Sequence, residues 1–130
     1  MLNKVEHIGI AVKNLDAANE LFEKLSEAGL LKIEEVEREG VRTSFFQVGN
    51  SKIEFLEALN PDSPIAKFIE KNGEGVHHIA FEVEDIAQEM TRLREAGFEL
   101  LSGEPKEGAD NKLICFLHPR STNKVLIELC

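Results

Sequence analysis

Cysteine is scarce in this 130-residue sequence. Cys115 and Cys130 are the two present, without a C-x-x-C spacing, so a disulfide framework is not indicated and reduced thiols are the simpler reading. Long apolar runs are missing as well. None approaches the length that spans a bilayer, and the N-terminus lacks the basic, apolar, small-residue order of a secretory signal, so a cytoplasmic protein without a membrane role is expected. Basic residues are few: 15 Lys and Arg stand against 24 Asp and Glu, for a net charge of −9. That balance argues against general binding of nucleic acid or anionic membranes, which needs a basic surface. It leaves room for an anionic small substrate, because a buried metal ion reverses the local field. Tyrosine and tryptophan are absent altogether. What remains is ordinary for a globular chain, 42% hydrophobic and 30% charged, and enough to build a core at this length.

The most informative positive feature is an internal repeat. Val5-Glu-His-Ile-Gly-Ile-Ala-Val-Lys-Asn-Leu15 lies over Val76-His-His-Ile-Ala-Phe-Glu-Val-Glu-Asp-Ile86, with Val5/Val76, His7/His78, Ile8/Ile79 and Val12/Val83 identical at an offset of 71. Each copy opens with an alternating, strand-like stretch and then passes a cap into a helical pattern. Asn14 is the expected N-cap of the first helix, with Ala18, Leu21, Phe22, Leu25 and Ala28 as its apolar stripe and Gly29 at its end. Asp85 with Gln88 reads as a capping box for the second, with Ile86, Met90, Leu93 and Ala96 as the stripe and Gly97 as the stop. Strands are expected at 32–36, 41–48 and 52–56 in the first copy, and at 98–101, 112–117 and 124–129 in the second. Asn60-Pro-Asp-Ser-Pro64 is a turn, with Ser63 capping a short helix that runs to Glu70. The polar stretch 102–111 is long for a hairpin and suits a flap over a site. The expected layout is one domain over 1–130: module one at 1–59, a linker helix at 60–74 and module two at 75–130.

Strand side chains alternate between faces, so parity shows which residues can converge. Ile8, Ile10 and Val12 share one face, expected under the helix, while His7, Gly9 and Ala11 share the other. In the second copy Ile79, Phe81 and Val83 oppose His78, Ala80 and Glu82. Both histidines thus stand beside very small residues that leave space for a ligand. In the last strand of each copy, Glu54 opposes Ile53 and Phe55, and Glu128 opposes Val125, Ile127 and Leu129. A lone histidine at a strand start is ordinarily a hydrogen-bonded structural residue, and an alternating glutamate is ordinarily a solvated one. Two matched pairs in two related units change that reading, and His7, Glu54, His78 and Glu128 become a candidate set for one divalent ion of the Co, Zn, Mn or Ni type. With fewer than six protein ligands, such an ion keeps positions open for substrate oxygens and acts as a Lewis acid. His77 and Glu57 have the opposite parity and should point to the helix side or the rim. His118 falls in a turn, and Cys115 in an apolar run that belongs to the core.

These stretches resemble the vicinal oxygen chelate superfamily, and within it the methylmalonyl-CoA epimerases, over nearly the whole chain. The resemblance is carried by Val5-Glu-His-Ile-Gly-Ile-Ala-Val, Gly40-Val-Arg-Thr-Ser-Phe-Phe, Lys52-Ile-Glu-Phe-Leu-Glu and Asp62-Ser-Pro-Ile-Ala-Lys-Phe. It continues through Gly75-Val-His-His-Ile-Ala-Phe-Glu-Val, Phe116-Leu-His-Pro-Arg-Ser-Thr and Val125-Leu-Ile-Glu-Leu. It implies an α+β fold of two tandem βαβββ modules in an open, cup-shaped mixed sheet with the helices outside. It implies the same four metal ligands, an acyl-CoA thioester as substrate, and a homodimer. The implied reaction interconverts (R)- and (S)-methylmalonyl-CoA by removing a proton at C2 on one face and returning it on the other. Two acid/base groups are needed for that. Glu128 is the candidate for one. Thr43 stands where some relatives carry the second carboxylate, which leaves the other group open between a water, another residue and Glu54. Glyoxalase I is the competing reading, but its members usually carry a Phe-Tyr-rich first helix, and this chain has no Tyr. Non-catalytic binding proteins of the same fold often lose the metal residues, which are all kept here. A ring-opening dioxygenase would show two His and one carboxylate, without the fourth ligand.

Overall fold

A computed structural model describes all of residues 1–130. Eight strands and three helices follow in the order β1 (Leu2–Ala11), α1 (Leu15–Ser26), β2 (Leu30–Val36), β3 (Val41–Val48), β4 (Ser51–Ala58), α2 (Pro64–Asn72), β5 (Gly75–Val83), α3 (Ile86–Glu95), β6 (Lys106–Glu107), β7 (Leu113–Leu117) and β8 (Ile127–Leu129). The strands pair in the order β2-β3-β4 in one part of the chain and β5-β8-β7-β6 in the other, with parallel and antiparallel pairs mixed. Residues of the chain group into two compact units, one from Ile8 to His77 and one combining Met1–His7 with His78–Cys130.

In the unit from Ile8 to His77, β2, β3 and β4 form antiparallel pairs, with Phe45 opposite Glu54 and Thr43 opposite Leu56. One face of these strands packs on α1: Val12, Leu15, Phe46 and Phe55 are buried, with Ile10, Phe22 and Ile53 against them. The rings of Phe22, Phe46 and Phe55 meet edge-on or tilted, with centroids 5.0–6.0 Å apart. Phe46 and Phe55, both buried, each contribute about 1.5–3 kcal/mol through removal from water, and the partly buried Phe22 contributes less. The other face supplies a second cluster, Ala11, Val41, Leu56 and Ile65, against which Phe68 and Ile69 of α2 pack.

The caps behave as their residues require. Asn14 accepts from the Ala17 amide at 3.0 Å, and Ser63 accepts from the Ile65 amide at 3.1 Å with Pro64 following it. The expected end of α1 differs: Glu27, in the left-handed region at φ 57, closes the helix ahead of Gly29. The apolar stripe of α1 is also rotated from expectation. Leu21 and Leu25 are 62% and 73% exposed, while Asn19 is buried and accepts a hydrogen bond from the Ser44 hydroxyl at 2.5 Å. A satisfied amide costs little to bury, so helical spacing of leucines alone misplaced the inner face.

In the unit built from Met1–His7 and His78–Cys130, β5 runs parallel to β8, and β8 runs antiparallel to β7. Its core is Val83, Met90, Leu93, Cys115, Leu117 and Leu129. Asp85 caps α3 by accepting from the Gln88 amide at 3.0 Å. The strand expected at 98–101 reduces to a single bridge between Leu100 and Leu117, and β8 is shorter than the expected 124–129. The stretch 102–111, expected as a flap, is tied down: Lys106 and Glu107 pair with β7, and Arg94 donates to the carbonyls of Ser102 and Gly103 at 3.3 and 2.7 Å. At Gly108 a Cβ would lie 2.8 Å from the Cδ1 of Ile114, so a larger residue there would have to displace the end of that side chain. No helix of the chain is long and apolar enough to cross a membrane.

Candidate metal centre

The parity argument fixes the local geometry around β5 and β8. Ala80 pairs with Glu128 across the parallel ladder, and Phe116 pairs with it across the antiparallel one. His78 lies two residues before Ala80 and therefore projects from the same face as Glu128. His7, near the middle of β1, completes a cluster in which all three residues are at most 5% exposed.

Both imidazoles present Nε2 to a common point. His7 Nε2 lies 3.0 Å from His78 Nε2, and the Glu128 oxygens lie 3.6 and 3.5 Å from the two. The rings stand at 87°, with centroids 5.1 Å apart, and Phe116 packs edge-on to His78 at 5.8 Å. Two imidazole lone pairs 3.0 Å apart repel unless a proton or a cation lies between them. Three donors held about 2.1 Å from one ion, about 90–120° apart, would be separated by about 3.0–3.6 Å. The nitrogen–nitrogen separation falls in that range, each carboxylate oxygen of Glu128 approaches one of the two rings, and the carboxylate supplies charge to balance a divalent ion.

Glu54 lies in the other compact unit, 4% exposed on β4 and on the face opposite Ile53 and Phe55, as parity required. His7, Glu54 and His78 are each buried and of ligand type. The other His, Glu and Cys side chains considered in the sequence are engaged elsewhere. His77 meets the Phe68 ring edge-on at 4.9 Å, and burial lowers its pKa to about 4. Glu57 accepts from the Leu15 amide at 2.7 Å at the start of α1. His118 accepts from the Arg120 amide at 3.1 Å within a single 3-10 turn. Cys115 is fully buried, and desolvation raises its pKa.

Two residues emerge that the sequence reading did not place. Glu6 is 3% exposed, and its carboxylate lies 3.2 Å from His7 Nδ1. Cys130 joins Glu6 and His7 in a second group of ligand-type side chains. Burial, then the charges of Glu128 and Glu6, push its thiol up to about 12, so it is not a thiolate at neutral pH. Thr43 is fully buried, and its hydroxyl has no hydrogen-bond partner.

Comparison with known proteins identifies the family. A model of the glyoxalase/bleomycin resistance protein/dioxygenase superfamily matches residues 6–116. The chain belongs to that superfamily. It is 44% identical over 131 residues to an ethylmalonyl-CoA/methylmalonyl-CoA epimerase of Cereibacter sphaeroides, covering 99% of this chain and 98% of that protein. A solved methylmalonyl-CoA epimerase in complex with methylmalonyl-CoA and NH4+ is 36% identical, with a TM-score of 0.95 over 99% of this chain and 94% of that one. A Streptomyces coelicolor methylmalonyl-CoA epimerase variant bound to 2-nitronate-propionyl-CoA is also 36% identical, with a TM-score of 0.96 over the same shares. The α+β fold of the superfamily, expected from the resemblance, is therefore the fold of this chain.

Proposed function

We propose that the chain is a divalent-metal-dependent methylmalonyl-CoA epimerase that interconverts the (R) and (S) forms of its acyl-CoA substrate. The observation that carries this reading is the buried cluster of His7, His78 and Glu128, with Nε2 of both rings and the carboxylate facing one point. It occurs in a chain 44% identical, almost end to end, to an ethylmalonyl-CoA/methylmalonyl-CoA epimerase. In this reading His7, Glu54, His78 and Glu128 hold one ion of the Co, Zn, Mn or Ni type. When bound, that ion supplies Lewis acidity for the substrate carbonyl and carboxylate oxygens, which makes the C2 proton easier to remove. Glu128 takes that proton at a carboxylate oxygen and can return it to the same face. His7 and His78 position Glu128, and their burial excludes bulk water from the reacting carbon. Thr43 offers a hydroxyl and no carboxylate, so the proton on the opposite face is carried by a water, by another residue or by Glu54. The protein works in this proposal as a cytoplasmic homodimer, for which sedimentation would report about twice the 14.5 kDa chain mass.

Solvent deuterium exchange into C2 of methylmalonyl-CoA tests the reading directly. We expect exchange in the presence of Co²⁺ or Mn²⁺, and none of the turnover expected of a glyoxalase with a glutathione hemithioacetal. Absence of exchange with every added ion would rule out the epimerase reading. Ethylmalonyl-CoA, assayed in parallel, sets the breadth of the substrate range.

A further inference from the structure

The environment of His7 differs from that of its repeat partner in a way the metal site itself does not require. His7 divides its two ring nitrogens: Nε2 faces His78 and Glu128, while Nδ1 faces the Glu6 carboxylate at 3.2 Å. Glu6 is 3% exposed, and a carboxylate is costly to bury unless a donor meets it. Strand alternation would send adjacent residues to opposite faces, so the contact between Glu6 and the ring of its own neighbour is a specific arrangement and not a by-product of the pleat. The position that corresponds to Glu6 in the second copy is His77, and it packs against Phe68 instead. The position beside the ligand histidine is thus one of those at which the duplicated units have diverged.

We propose that Glu6 is a positioning residue for the metal centre: it accepts the Nδ1 proton of His7 and thereby holds the Nε2 lone pair toward the ion. An imidazole has one proton to place when neutral, and a carboxylate on Nδ1 fixes which nitrogen carries it. The same contact fixes ring orientation and raises the electron density at Nε2, and losing such an outer partner typically costs about 10–100-fold in metal affinity. Glu6 contributes no ligand atom in this arrangement. The inference rests on the ligand set proposed above, but it is independent of which substrate the protein turns over.

Metal-free protein titrated with Co²⁺ by calorimetry, with the visible absorption of the cobalt complex recorded alongside, tests it. The variants are Glu6→Gln, which keeps size and removes charge, and Glu6→Met, which also removes the acceptor. Thermal melting of each metal-free variant reports folding separately. We expect affinity to fall by about 10-fold or more in Glu6→Gln and further in Glu6→Met, with the cobalt bands shifted. Should Glu6→Met fail to fold, Glu6→Gln decides alone. Affinity within twofold of wild type in folded Glu6→Gln, whatever its melting temperature, would overturn the proposal. So would loss of binding in Cys130→Ser, because the ion would then lie in the group of Glu6, His7 and Cys130. Cobalt binding by a wild type that exchanges no deuterium would sink the epimerase reading and leave the role of Glu6 standing. A wild type that binds no divalent ion would sink both.

Discussion

Thr43→Val isolates one hydroxyl whose cost can be worked out. The side chain is fully buried on β3, paired across the ladder with Leu56, and its Oγ1 meets no hydrogen-bond partner. A buried hydroxyl left without a partner costs about 1–3 kcal/mol in lost hydration. Valine has nearly the same shape and no polar atom, and suits a strand. We expect it to stabilise the fold by about 1–2 kcal/mol. The unfolding entropy is about 2.1 cal/mol/K per residue, which over 130 residues gives about 0.27 kcal/mol/K. The expected rise in Tm is therefore about 4–7 °C. Calorimetry on metal-free protein checks this, and urea titration should show a higher midpoint with an unchanged slope. A loss of stability would refute the reasoning, because it would mean that the hydroxyl is satisfied in solution. A gain in stability together with a loss of turnover would instead show that its spare hydrogen-bonding capacity serves the reaction.

Other outcomes follow from the same geometry. His78→Ala is expected to lose bound divalent metal, measured by elemental analysis after gel filtration, since it removes one of two facing imidazoles. Glu128→Gln is expected to lose turnover in the exchange assay even where metal remains, because an amide cannot take up a proton. His77 links stability to acid: its pKa is about 4 when folded, against an ordinary 6.5, so the unfolded chain gains the proton first as pH falls. Stability should be unaffected by this group above about pH 7 and should drop by about 2 kcal/mol by pH 5. His77→Phe should remove that part of the pH dependence in denaturant titrations, and an unchanged slope between pH 7 and 5 would contradict it. Chelator treatment should lower the Tm and added Co²⁺ should restore it, as mass action requires of an ion bound only by the folded chain.

Strand parity made much of the site legible in advance. A period of two allows no drift, so the sides taken by His7, His78, Glu54 and Glu128 could be read from their neighbours. The histidine pair and Glu128 do converge. Helix α1 was less legible, because burial of Asn19 depends on Ser44, a residue 25 positions away on a strand. Leu21 and Leu25 satisfied the helical period and still face solvent. Residues 98–101 alternate like a strand, yet only Leu100 forms a bridge. Glu6 was invisible for another reason. Parity assigns adjacent residues to opposite sides and has no means of predicting that a flexible carboxylate returns to its neighbour's ring.

The two compact units also bear on how the chain comes to be folded. Residues 8–77 form a continuous stretch, whereas 1–7 belong with 78–130. During synthesis the continuous stretch can collapse as soon as it emerges, while the first seven residues must wait for partners made last. His7 is the final residue of that waiting segment, and closure of a loop of some seventy residues carries an entropy cost that local contacts do not. Assembly of the His7, His78 and Glu128 cluster is thus expected to be a late event in maturation, after most of the polypeptide has left the ribosome.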